Sequence, residues 1–82
     1  MSETLDRNGE QVRVGAKVRR HRERAGMSAE RLAQAVGISR PYLSNIEAGR
    51  KRLTPFLAIQ IAAALGVTER ALTAPARTRR AA

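Results

Sequence analysis

The chain has 82 residues, 16 Lys and Arg against 7 Asp and Glu, and a formal net charge of +9. Its length fits one small domain. It has no Cys and one His, which excludes a disulfide scaffold, a cysteine zinc site and a histidine metal cluster. No stretch reaches the roughly 18 apolar residues of a membrane span, and no apolar run follows a basic start as in a signal peptide. These features predict a soluble cytoplasmic protein without a metal or other cofactor.

The excess of positive charge points to nucleic acid. The sequence pI is about 11.8, and a domain pI above about 9 is typical of nucleic-acid binders. Residues 11–72 hold 12 Lys and Arg and 4 Glu, so this segment alone has a net charge of +8. The positive charge therefore belongs to the part of the chain that is expected to fold. Membrane-surface helices and ribosomal proteins are also strongly basic, so the charge alone does not identify the partner.

The N-terminal third is predicted to contain a flexible arm and one helix. Residues 1–10 are polar and without periodicity, which predicts the arm. A helix is predicted over residues 11–25, with apolar positions at spacings of three and four: Val14, Val18, His21 and Ala25. A basic stripe follows the same spacing: Arg13, Lys17, Arg20 and Arg24. Gly26 is predicted to end the helix in a left-handed conformation.

Two short helices are predicted next. Ser28 is a suitable N-cap for a second helix that ends at Gly37, and Ser39 is one for a third helix that ends at Gly49. Pro41 falls in the first turn of the third helix, where a proline has no backbone hydrogen bond to lose. This spacing predicts two helices joined by a turn of about four residues.

The last third is predicted to complete a helical bundle. Thr54 and Pro55 form an N-cap and first-turn pair for a fourth helix that continues to Gly66. Thr68 begins a last turn or two that ends near Leu72, and residues 73–82 read as a flexible basic tail. Residues 11–72 are therefore predicted to form one all-α domain, a compact bundle of four to five short helices.

Residues 28–50 carry the main functional signal. Two short helices separated by a Gly-centred turn are the geometry of a helix-turn-helix. Within that turn, residues 36–39, Ile38 is expected to fill the corner. Leu32, Leu43 and Ile46 are expected to pack beneath it.

Residues 14–72 resemble the lambda-repressor-like, Cro/C1-type (XRE family) DNA-binding domain. The resemblance rests on four segments in the family's order: VGAKVRRHRERAGMS, LAQAVGIS, YLSNIEAGR and IQIAAALGVTERAL. Two positions depart from the pattern, because His21 stands where such domains usually carry Leu and Leu53 where many have Pro. The resemblance implies a small bacterial or phage transcription regulator that binds a specific duplex DNA sequence.

The third helix is predicted to read DNA bases with its outer side. Leu43, Ile46 and Glu47 centre on one side of this helix, and the small or polar residues centre on the other, where a major groove about 12 Å wide can admit them. Arg40 can donate two hydrogen bonds to guanine, and Asn45 can pair with adenine. The resemblance supports the full base-reading set: Arg40, Pro41, Tyr42, Ser44 and Asn45.

Phosphate contacts are predicted at the rim of this helix pair. The N-termini of the second and third helices offer unpaired backbone N–H groups beside Ser28 and Ser39, which suits an anion. The following loop adds three adjacent cations: Arg50, Lys51 and Arg52. Such contacts give affinity and register without sequence information. The alternative interpretation of the loop is a solvated charge cluster.

Glu47 is predicted to face inward, where a carboxylate needs a partner. Arg22, at the edge of the apolar face of the first helix, is the expected partner, and the resembling family carries an Arg–Glu pair at the matching positions. The pair is predicted to be structural and to fix the third helix against the first. No catalytic residues are predicted, because one His and no paired carboxylates leave no acid–base constellation.

A homodimer is predicted from the way such domains bind DNA. One such domain reads only a half-site, and two domains spaced near one helical turn bind a pseudo-palindrome. The dimer interface is predicted in the last third of the chain, at apolar residues beyond what a small core needs: Phe56, Leu57, Val67 and Leu72.

The predicted function is that of a small regulator, most simply a repressor, whose partner is double-stranded DNA. No small-molecule effector and no membrane partner are predicted. Family members of this size resemble phage repressors, controllers of restriction–modification operons and antitoxins. Two alternatives stay open. One is an antitoxin or other protein-partner module whose DNA binding is secondary, and the other is an RNA-binding or ribosomal protein, which the scarcity of aromatic residues disfavours.

Overall fold

The computed structural model describes residues 2–74, with side chains from residue 9 onward. This part of the chain forms five helices and no strand: α1 (Ser2–Arg24), α2 (Ala29–Val36), α3 (Arg40–Glu47), α4 (Pro55–Leu65) and α5 (Glu69–Thr73). The predicted all-α architecture is confirmed.

Local hydrogen bonds set the starts of α2 to α5. The N-cap side chains of Ser28, Ser39, Thr54 and Thr68 each accept a hydrogen bond from the backbone N–H three residues later, at 3.0–3.3 Å. Each such cap stabilises a helix by about 1 kcal/mol. The predicted glycine stops are also present, because Gly26, Gly37, Gly49 and Gly66 all adopt positive φ. The residue that caps α3 itself is Ala48, one position before Gly49.

The two ends of the chain differ from the predicted boundaries. α1 begins at Ser2, nine residues before the predicted start, so the segment predicted as an arm continues the helix. Asn8 and Gly9 are weak helix formers but not helix breakers, and a helix formed on the packed segment extends through them at little cost. At the other end, Thr73 belongs to α5. The remainder of the predicted tail, residues 75–82, lies outside the described residues.

The core takes a side chain from every helix. Its largest fully buried side chains are those of Val18, Leu32, Leu43, Ile46, Ile61 and Leu72. Burying a side chain of this size contributes roughly 1.5–3 kcal/mol. Leu53, at the position that departs from the family pattern, packs against this core. The inner side of α3 is held by α1 and α2, and α4 closes the core from the far side of α2.

Two residues predicted at the dimer interface belong to this core instead. Leu72 is fully buried and Leu57 nearly so within the single chain. Leu57 shares the buried side of α4 with Ile61 and Leu65, and α5 lies against α1 and α4 so that Leu72 points inward. The sequence prediction overestimated how many apolar residues are left over for an interface, because it did not include the packing of α5 against the core.

Gly15 lets α1 approach the end of α3. A Cβ atom at this position would lie within 3 Å of the backbone carbonyl oxygens of Ile46 and Glu47. We expect Gly15→Ala to lower the free energy of unfolding by about 1–3 kcal/mol, because the two helices must separate to admit the methyl group. Urea unfolding measures this.

Gly9→Ala is the matched control for that substitution. Gly9 lies in the same helix, and a Cβ added there would meet nothing within 4 Å. The change should therefore be neutral or stabilise the helix by up to about 1 kcal/mol. Equal effects of the two substitutions would show that the close approach at Gly15 does not matter.

Candidate DNA-binding surface

The helix pair α2 and α3 is joined by a short, tightly bonded turn. Gly37 has φ 75° and ψ 30°, a left-handed conformation that suits glycine. The backbone N–H of Ile38 donates to the carbonyl of Ala33 at 3.0 Å, and the Ile38 side chain packs against the core. The turn thus directs the chain from α2 into α3 at a fixed angle, which is the predicted helix-turn-helix geometry.

α3 has one buried and one exposed side. Leu43 and Ile46 are almost fully buried, whereas the opposite residues are exposed: Arg40, Pro41, Ser44 and Ala48. No described part of the chain covers this outer side. Among the described residues, Arg40 makes no side-chain hydrogen bond, so its guanidinium donors are available to a ligand.

Two members of the predicted base-reading set are only partly exposed. Tyr42 packs against the core, and its backbone N–H donates to the Ser39 side chain at 3.1 Å. Asn45 is half-buried and accepts a hydrogen bond from the Arg50 guanidinium at 3.1 Å. The base-reading roles of both residues remain predictions, and the structure brings them to the edge of the exposed row.

The Asn45–Arg50 hydrogen bond could not be read from the sequence. It joins the last turn of α3 to the following loop. The backbone N–H groups of Arg50 and Lys51 in that loop also donate to the Asn45 carbonyl, at 2.8 and 3.2 Å. The bond occupies one acceptor position of the Asn45 amide and leaves its N–H donors unaffected. Arg50 is thus held beside α3.

The other residues predicted to contact phosphates differ in how available they are to a ligand. Ser28 and Ser39 use their side-chain oxygens as caps, and Pro41 removes one N–H from the start of α3, so α2 offers more donors than α3. Lys51 is exposed. Arg52 is also exposed, but it lines a groove of about 550 Å³ that includes Glu10 and Glu69. Its phosphate contact is the least supported of the set.

The predicted ion pair between Arg22 and Glu47 is present in bidentate form. Nε of Arg22 donates to one carboxylate oxygen at 2.8 Å, and Nη2 donates to the other at 3.1 Å. Nη1 donates to the carbonyl of Met27 at 2.9 Å. The side chains are only 13% and 9% exposed, and the hydrogen bond to Glu47 raises the pKa of Arg22 above its ordinary value. The pair ties the end of α3 to α1 and to the loop before α2.

A supported helix pair with one uncovered, polar and basic side defines the helix-turn-helix class of DNA-binding domain. The family model described as helix-turn-helix domain matches residues 13–76. The chain belongs to this family of transcription regulators, in its Cro/C1 (XRE) type. None of the helices in the described part of the chain is long and apolar enough to cross a membrane.

Curated relatives match most of this chain. An uncharacterized HTH-type transcriptional regulator of Mycobacterium tuberculosis is 40% identical over 58 residues, which are 71% of this chain and 41% of that protein. One of Sinorhizobium fredii is 36% identical over 62 residues, which are 76% of this chain and 80% of that protein. The chain therefore spans less than half the length of the mycobacterial relative.

Solved structures share the fold. The restriction-modification controller protein C.AhdI from Aeromonas hydrophila superimposes with a TM-score of 0.78 at 30% identity, over 82% of this chain and 97% of that one. The clp gene regulator ClgR from Corynebacterium glutamicum gives a TM-score of 0.74 at 32% identity, over 76% of this chain and 66% of that one.

Proposed function

We propose that this protein is a transcription repressor that binds a pseudo-palindromic operator as a homodimer, with α3 in the major groove. It acts in the cytoplasm, on the nucleoid. The observation that carries the proposal is the uncovered outer side of α3, where Arg40, Pro41 and Ser44 are exposed over a fully packed inner side. The similarity to C.AhdI and ClgR, a restriction-modification controller and a gene regulator, supports it.

Shape and charge both favour entry of α3 into the major groove. An α-helix with its side chains is about 10–12 Å across and the major groove is about 12 Å wide, so small residues on the outer side of α3 allow close entry. Net positive charge attracts the phosphates, and Arg40 at the first turn can reach a base edge, where recognition helices make their base contacts.

Selection of bound sequences from a random duplex pool tests the proposal. We expect a pseudo-palindromic site with half-site centres about one helical turn, 34–36 Å, apart. Gel shifts with the selected duplex, a scrambled duplex and a single-stranded RNA, at several salt concentrations, compare the alternatives. Enrichment of no sequence, or tighter binding to the RNA, would overturn the proposal.

We further propose that the dimer forms through an apolar patch on α4, made of Phe56 and Ile59. These side chains are 69% and 55% exposed and lie three positions apart, on one side of the helix. Of the residues predicted from the sequence only Phe56 is strongly exposed, since Val67 packs against the core. In a two-fold symmetric interface the patch would meet its own copy.

Phe56→Ser tests this interface. Burial of a large apolar side chain contributes about 1.5–3 kcal/mol, so the substitution should weaken dimerisation at least tenfold in sedimentation equilibrium. Binding to a full site should fall, and binding to an isolated half-site should not change. Val12→Ser, at an apolar residue of α1 that is 53% exposed, should leave assembly unchanged. A wild-type protein that sediments as a monomer, both alone and on the full site, would contradict the homodimer.

A further inference from the structure

A cleft between α1 and α3 opens beside the exposed row of α3. It has a volume of about 270 Å³. Its α3 wall contains Glu47 and a row of residues spaced four apart: Arg40, Ser44 and Ala48. Its α1 wall contains Arg19 and Arg22. The cleft thus joins the residue expected to read guanine to a basic residue of a different helix.

The net charge of the cleft comes from Arg19 and Arg40. The third arginine, Arg22, is neutralised by Glu47 at 2.8 Å and has little exposure. Apart from Arg40 and the paired Glu47, the α3 wall is built from short side chains, Ser44 and Ala48. The unpaired Arg40 and the exposed, weakly paired Arg19 beside a short-walled cleft favour an anion.

Arg19 has a partner that it can leave at small cost. Its Nε donates to Glu23 at 3.1 Å, one helical turn away, and the two side chains are 63% and 57% exposed. Exposed pairs of this kind are weak, since water and salt screen them. A phosphate oxygen offers the same guanidinium a charge-assisted and geometrically matched hydrogen bond.

The position of Arg19 complements that of Arg50. Arg50 is bonded to Asn45, in the row of α3 next to the one that lines the cleft. An α-helix nearly fills a major groove, so the phosphate backbones lie close to both of its sides. If α3 enters the groove, one arginine therefore lies near each of the two phosphate backbones. Arg50 is on the Asn45 side of the helix, and Arg19 is on the Arg40 side.

We infer that Arg19 contacts a DNA backbone phosphate, on the side of α3 away from Arg50, and exchanges Glu23 for it on binding. The inference rests on the proposed DNA-binding function and adds a contact from α1. It also implies that the base-reading residue Arg40 is flanked by a phosphate clamp that fixes its register in the groove.

The test compares Arg19→Ala with Arg20→Ala on the selected duplex and on a scrambled one. Arg20 is also exposed on α1 but does not line the cleft, so the two variants lose the same charge. One phosphate contact contributes about 0.9 to the slope of log K against log salt. Between 50 and 200 mM salt, the ratio of wild-type to Arg19→Ala affinity should therefore fall about threefold, on both duplexes. For Arg20→Ala the ratio should stay constant.

A scan of the selected site with neutral methylphosphonate linkages locates the contact. Each linkage that removes a contacted phosphate should weaken the wild type. We expect Arg19→Ala to become insensitive at one phosphate in each half-site, and Arg19→Lys, which keeps the charge, to retain sensitivity there. Unchanged thermal unfolding of the variants verifies that they are folded.

The outcomes separate the inference from the function on which it rests. If Arg19→Ala behaves like Arg20→Ala and keeps every methylphosphonate sensitivity, while Arg40→Ala still impairs site recognition, Arg19 is not a phosphate contact and the DNA-binding function stands. If Arg19→Ala alters preference at one base pair, Arg19 reads a base and the inference is equally wrong. If the wild type binds no duplex, the proposed function itself fails.

Discussion

Replacement of Arg40 by alanine is expected to weaken binding to the selected operator by about 5- to 150-fold, corresponding to roughly 1–3 kcal/mol for one bidentate base contact. Arg40 is the first residue of α3, is exposed and lies above a fully buried inner side. Its guanidinium can donate in parallel to the two acceptors of a guanine edge, which no other base presents. Preference should therefore relax at one base pair of each half-site and remain at the others.

Two further variants isolate base reading from charge. Arg40→Lys keeps the positive charge but cannot form the planar bidentate contact, so it should bind scrambled duplex like the wild type and still lose discrimination. Arg70→Ala removes one charge from α5, which packs against α1 and α4, and should change neither property. If Arg40→Ala weakened scrambled and selected duplexes equally, Arg40 would be a phosphate contact rather than a base reader.

The features that the sequence predicted correctly are local ones. Ser39 caps a backbone N–H only three residues away, and Gly37 needs only its own φ angle to end α2. The alternation of buried and exposed residues along α3 likewise follows from helical geometry, so Leu43 and Arg40 could be assigned to opposite sides in advance. The family-like segments supplied the Arg22–Glu47 pair, which helical spacing alone would not have selected.

The features that were missed depend on how distant segments dock. The packing of Gly15 against the end of α3 joins residues about thirty positions apart, and the cleft beside Arg19 exists only because α1 crosses α3 there. The burial of Leu57 is different, because the sequence carried a usable signal. Leu57 lies four residues before Ile61, so the helical period already placed it on the inner side of α4.

Removal of the Glu47 carboxylate is expected to have the largest effect on stability of any single change at this site. In Glu47→Ala, the Arg22 guanidinium stays at a poorly exposed position without its counter-ion, and breaking a buried pair in this way costs about 3–5 kcal/mol. Because the pair keeps slight contact with water, we expect a loss near 3 kcal/mol in the free energy of unfolding. Urea unfolding at neutral pH measures it.

The exposed pair Arg19–Glu23, on the helix that also carries Arg22, provides the control. Glu23→Ala breaks the bond to Arg19, whose partners are both more than half exposed, and should cost at most about 0.5 kcal/mol. The double variant Arg22→Met/Glu47→Leu removes both charges together and should recover much of the lost stability, since no unpaired ion remains. Similar losses for Glu47→Ala and Glu23→Ala would mean that burial does not strengthen the inner pair.

The same double variant distinguishes support of α3 from stability alone. The Arg22 side chain joins Glu47 of α3 and the carbonyl of Met27 just before α2, so it couples the positions of both helices of the motif. Apolar side chains can fill that space without reproducing directional bonds. We therefore expect the double variant to fold nearly as well as the wild type and still bind its operator more weakly. Full recovery of operator affinity would show that packing alone orients α3.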